Sequence, residues 1–205
     1  NTVVGDFTKN NTFKAGDYTS KMFMKDGKYY VTTLGPEGKE GIYEIKHVIG
    51  GNWKQRYITE FPNGAQHVLP VQYNVETKKW TDYHGLAKQK PGDGKYWSDK
   101  NRAWQYHCAG CHTTGLKINY DAKKDKFNTV VTERGIGGEA CHGPGSEHVT
   151  APMRKKFTTI VNPAKIHDSK RAAQVCGQCH NRGVSVKDTD IPHGPKHYEF
   201  PGGAA

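Results

Sequence analysis

The chain has 205 residues, 34% of them hydrophobic, with a mean hydropathy of -0.84 and no run near the roughly 18 apolar residues that a membrane-crossing helix needs. Thirty Lys and Arg against 20 Asp and Glu give a formal charge of +10, but the excess is spread along the chain without a long basic block. That pattern argues for a solvated basic surface and against a nucleic-acid site. The chain opens at Asn1 with neither Met nor an apolar leader, so an export signal is expected to have been removed or to lie outside this sequence.

In chain order, the first ninety residues read as strand and turn. Lys28 to Leu34, Ile42 to Ile49, Lys54 to Phe61 and Gln66 to Tyr73 are rich in Val, Ile, Thr and Tyr. Turn signals punctuate them: Asp26-Gly27, Gly35 to Gly38, Gly50-Gly51 and Pro62 to Gly64. These features predict an N-terminal antiparallel β-meander over 1–90. From about Pro91 the composition shifts to Gly, Pro, Lys and Asp, then to short helical pieces ending in cysteine and histidine. Asp99, Ser146 and Asp168 or Ser169 stand where helix N-caps would be needed. With glycine at 24 and tyrosine at 11, the fold class expected is mixed and low in regular secondary structure: the meander, then short helices and loops over 91–205 wrapped around c-type haems. The two parts are expected to form one integrated unit.

The haem expectation comes from the cysteines. Cys108, Cys111, Cys141, Cys176 and Cys179 make up the full set, and the last cysteine of each group is followed at once by a histidine: His112, His142 and His180. Residues 108–112 and 176–180 are complete C-x-x-C-H motifs, the pattern of covalent haem attachment. Cysteines at i and i+3 share one face of a helical turn and can add to the two vinyl groups of one porphyrin, while histidine at i+4 reaches the iron. Residues 138–142 repeat the pattern with Gly138 in place of the first cysteine, so one thioether and an iron ligand remain. A disulfide scaffold would leave Cys141 odd. A zinc site would need pairs separated by roughly 15 to 20 residues and would leave the histidines unexplained. A thioredoxin-like redox motif lacks its βαβ context.

With His112, His142 and His180 as proximal ligands, the distal candidates are His47, His67, His84, His107, His148, His167, His193 and His197. This surplus favours bis-histidine iron, which closes both faces to substrate and suits a carrier. His148, across the Gly143-Pro144-Gly145 turn from His142, is the best single distal candidate. His107 sits beside Cys108 and is better placed for a neighbouring haem than for its own.

"AWQYHCAGCHTTGLKINYD" (Ala103 to Asp121), "GIGGEACHGPGSEHV" (Gly135 to Val149) and "RAAQVCGQCHNRG" (Arg171 to Gly183) resemble the multihaem c-type cytochromes. Together with "TVVGDF", "DGKYYVTTLGPEGK" and "TEFPNGAQHVLPVQYN", they resemble within that group the tetrahaem extracellular nanowire cytochromes of the OmcE type. The resemblance covers most of the chain. It implies haem c, three from this chain and a fourth that is either missing or bound by residues outside this sequence, along with His148 as a distal ligand and electron transfer through closely packed haems. It also implies export to the periplasm, the cell surface or the extracellular space, a homo-oligomer or filament, and redox partner proteins or extracellular acceptors. In this family a cysteine usually stands where Gly138 is. The competing expectation, from a different class, is a multihaem oxidoreductase acting on a small nitrogen or sulfur species at an open haem.

Overall fold

Asp26-Gly27 and its flanking strands show how the N-terminal part folds. Both residues have positive φ, 50° and 72°, the type I′ geometry whose twist matches that of the strands it joins. Lys25 therefore pairs with Lys28, and the register runs back to Lys21 opposite Thr32. The computed structural model describes residues 3–83 and 87–180 and divides into two units, the first made of residues 3–107 with Tyr120–Phe127 and the second of Cys108–Asn119 with residues 128–180. His84, His193 and His197 lie outside the described residues.

The first unit carries two four-stranded antiparallel meanders. One runs β1 (Thr12–Ala15), β2 (Tyr18–Lys25), β3 (Lys28–Leu34), β4 (Glu40–Glu44), and the other β5 (His47–Gly50), β6 (Lys54–Glu60), β7 (Gln66–Asn74), β8 (Lys79–Asp82). The strand expected over Ile42 to Ile49 is in fact two. The Ile45 amide donates to the Tyr29 carbonyl at 2.8 Å while the next amide, of Lys46, donates to Ile58 at 2.8 Å, so the chain passes from one sheet to the other between adjacent residues. β7 tolerates Pro70 because its pairing with β6 slips there: Ile58 faces Val68, Arg56 faces Gln72, and Tyr57 alone spans Leu69, Pro70 and Val71.

The core of this unit is aromatic. Phe7 meets Tyr29, Tyr57 and Trp80 edge-on at 4.9, 5.5 and 5.3 Å, and Trp97 packs on Tyr43 at 5.1 Å. Trp97 and Tyr96 both donate to the Leu34 carbonyl, at 2.7 and 2.9 Å, which fastens the loop after β8 onto the sheets. Asp99, expected to cap a helix, instead accepts from the amides of Gly92 and Tyr96 at 2.7 and 3.1 Å and shapes that loop. Helix α1 (Trp104–His107) follows, its buried Gln105 accepting from Gln66 N–H and donating to the Gly64 carbonyl. β9 (Tyr120–Asp121) and β10 (Lys126–Phe127) form a short hairpin in the same unit, held where the Phe127 amide donates to Asn63 at 2.8 Å.

The second unit is built from α2 (Ala109–His112), α3 (Glu139–His142), α4 (Ser146–Thr150), α5 (Met153–Lys156) and the longer α6 (Ser169–His180). Asp168 caps α6, its carboxylate accepting from Lys170 N–H at 2.9 Å and Arg171 N–H at 3.3 Å, as the sequence predicts. Ser146 does not cap: it is the first residue of α4, and the turn before it is held by Glu139, which accepts from Gly145 N–H at 2.7 Å. Among the described residues no helix is long and apolar enough to cross a membrane.

Candidate haem-binding site

The Cys-His groups each sit on a helical turn of the second unit. In the first, the Cys111 amide donates to the Cys108 carbonyl at 3.1 Å, which sets the two thiols on one side of the turn with His112 next. In the third, Cys176, Cys179 and His180 occupy the last turn of α6. In the second, the Cys141 amide donates to Gly138 at 3.1 Å and the His142 amide to the same carbonyl at 2.8 Å. The backbone of 138–142 thus repeats the turn of 108–111 although the first thiol is missing.

Thr114 joins the first turn to the second. Residues 114 and 117 pair with 133 and 130, and the buried Thr114 hydroxyl donates to the Gly135 carbonyl at 3.0 Å while accepting from Gly137 N–H at 2.8 Å. Two residues after His112, this side chain fixes the residue immediately before Gly138. The first turn also meets α6, where the Cys111 thiol lies 3.9 Å from the carbonyls of Gln178 and Cys179. The Cys179 thiol is held above its ordinary pKa, first by partial desolvation and then by Cys111 and Cys141 beside it. The three turns therefore converge, and none of the five cysteines is in a disulfide.

His142 and His148 are both held by backbone. His142 Nδ1 lies 2.8 Å from the Val161 carbonyl, while the Val161 amide donates to the His142 carbonyl at 3.0 Å. His148 Nδ1 lies 2.8 Å from the Lys156 carbonyl. A carbonyl only accepts, so each Nδ1 carries the hydrogen, and in the neutral ring each Nε2 keeps its lone pair for a metal. The glycine-rich link between them requires Gly143, whose φ of 75° and ψ of -179° no other residue adopts without strain.

The other predicted ligands are placed differently. His67 is 1% exposed in the core of the first unit, its Nδ1 donating to Trp97 at 3.0 Å and its ring 4.8 Å from Phe61. Burial pushes its pKa down to about 4. His47 begins β5 opposite Ile58. His107 ends α1 with Nε2 on the Asn101 carbonyl, and His167 is exposed before α6. Among the described residues, no three His, Cys, Asp or Glu side chains converge as a ready-made metal cluster. The sequence reading missed Thr114, a residue whose type and spacing carry no motif.

The second unit fits a porphyrin. Among its described residues only Ala109, Thr113 and Thr114 are buried, while Ile136, Val149, Met153, Phe157 and Val161 are exposed. Exposed apolar side chains on the segment carrying the clamped histidines suit a large flat apolar ligand anchored by the cysteines.

Residues 72–143 match the family model described as cytochrome c554 and c-prime. Among solved structures, the chain is similar to the outer cell wall cytochrome OcwA, with 28% identity and a TM-score of 0.47 over 74% of this chain. It spans 28% of that protein's length. A comparison with curated proteins gives no match. The matched family segment takes in the Cys108–His112 motif and ends just beyond Cys141-His142, and another complete motif follows it at 176–180. A complete haem-attachment motif inside the matched segment, a partial one at its end and another complete one beyond it form the pattern of the multihaem c-type cytochromes.

Proposed function

We propose that this protein is a one-electron carrier working through bis-histidine c-type haems attached at Cys108 and Cys111, at Cys141, and at Cys176 and Cys179. The observation that carries this reading is the convergence of the three Cys-His turns through Thr114 and the Cys111–Cys179 contact. Haem c, when bound, would supply an iron able to take up and release one electron. The chain's part is to hold sulfur and imidazole in place. Proximal nitrogen would come from His112, His142 and His180, with His148 as the distal ligand of the second group. His47, His107 and His167, with the histidines at 84, 193 and 197, form the pool for the remaining distal positions, while His67 serves packing.

In its finer form the reading makes the protein an exported cytochrome of the OmcE type that assembles with copies of itself outside the cell. What supports it is the resemblance of the haem segments and of the β-rich segments before them. Intact mass with a reduced-minus-oxidised spectrum tests the carrier: three haems per chain and low-spin ferric iron are expected. A high-spin ferric band would favour the oxidoreductase on small nitrogen or sulfur species instead. Negative-stain microscopy of the purified protein tests the assembly, with filaments expected and discrete particles counting against it.

A further inference from the structure

Gly138 occupies the place of a thiol without any backbone reason to be glycine. Its φ and ψ, -57° and -36°, are ordinary right-handed helix, and a Cβ built there meets no atom within 4 Å. Gly143 and Gly64 differ: the first has a φ of 75°, and at the second, with φ 79°, a Cβ would fall 2.5 Å from the Phe127 carbonyl. Position 138 is therefore an attachment turn with one anchor removed and the space beside it open.

Two features compensate for the missing anchor. His142 is clamped in both directions by Val161, through Nδ1 at 2.8 Å and through its carbonyl at 3.0 Å. His148 is fixed by Lys156 at 2.8 Å. Rings held through Nδ1 lose little freedom when Nε2 takes a metal, so the two imidazoles bind with less entropic cost than free side chains would.

We infer that the segment 135–161 holds a haem by a single thioether from Cys141, ligated by His142 and His148, with the vinyl group on the Gly138 side left unreacted. This rests on the carrier reading for the presence of haem and deepens it by assigning both axial nitrogens of that haem and the vinyl group that stays unreacted. In the attachment, the Cys141 S–H adds across one vinyl C=C. A carbon–sulfur bond forms, the π bond breaks and the thiol proton moves to the outer vinyl carbon, so nothing leaves and no net oxidation occurs.

The holoprotein, alkylated with iodoacetamide and cut with trypsin, separates the three sites into peptides 103–117, 135–154 and 172–182, bounded by Arg102, Lys117, Arg134, Arg154, Arg171 and Arg182. Each is expected to carry one haem, with Cys141 unalkylated. The pyridine haemochrome α-band should lie at longer wavelength than in Gly138→Cys, whose haem count stays the same. Peptide 135–154 alkylated and haem-free, while the other two are loaded, overturns the inference and leaves the carrier reading standing. No haem on any peptide overturns both. An introduced thiol at 138 that remains alkylatable beside a bound haem overturns the placement of the vinyl.

Discussion

His67 and His148 come from the same pool of histidines, and only their surroundings separate them. His67 is enclosed by Phe61 and Trp97 with Nδ1–H on the Trp97 carbonyl, so folding keeps it neutral and holds its pKa near 4 against 6.5 in the open chain. Between those values the unfolded chain binds the extra proton and the folded one does not. The contribution is therefore fully present above about pH 6.5 and is lost as pH falls towards 4, a shift worth roughly 3 kcal/mol. His67→Gln is expected to start from a lower urea midpoint but to fall less over that window, while the haem count and the ferric spectrum stay unchanged. A loss of low-spin signal in this variant would instead make His67 an iron ligand. Sequence cannot make this distinction, because a lone histidine among Val and Gln reads alike whether it faces a porphyrin or a tryptophan.

At the level of elements, a signal is legible where the partner is local and hidden where it is remote. Asp168 caps α6 through the amides of the two residues that follow Ser169, and its place before the helix reveals that. Asp99 stands equally well before a helical stretch, yet its carboxylate turns back to Gly92 and Tyr96, because the Trp97 loop must first be fastened to Leu34. The Ile42 to Ile49 run reads as one strand since Ile, Tyr and Val dominate it and no turn residue interrupts it, and the division at Ile45 depends on which sheet each amide meets. Thr114 is the same case at the candidate site, with partners at Gly135 and Gly137. Thr114→Val keeps the shape and removes both hydrogen bonds, leaving the Gly137 N–H without its acceptor at a cost of about 1–3 kcal/mol. Hydrogen exchange should show faster exchange of the Gly137, Glu133 and Val130 amides, with β2 and β3 unaffected. Unchanged protection at those three amides would mean that Thr114 does not hold the first two turns together.

On the scale of the molecule, the two units differ in what fills them. The first buries Phe7, Met22, Val31, Tyr57, Leu69, Trp80 and Trp97 against two sheets, enough apolar surface to stabilise a fold without a cofactor. The second has cysteine and histidine at its turns, short helices that are marginal by themselves, and Val149, Met153 and Phe157 exposed at 70, 73 and 76%. That contrast was legible in outline, since Val, Ile, Thr and Tyr crowd the first ninety residues while the cysteines all come later; the aromatic loop at Tyr96 and Trp97, which completes the first core, was not. If porphyrin is the core of the second unit, removing the attachment points must remove its order selectively. With all five cysteines changed to serine, limited proteolysis of the haem-free protein should cut early at Arg134, Arg154, Lys155, Lys156 and Arg171, while the Lys and Arg sites of β2, β3 and β6 stay protected on the same time course. Equal resistance of both regions would show that the second unit folds on its own side chains, and that haem is bound to it without being what holds it together.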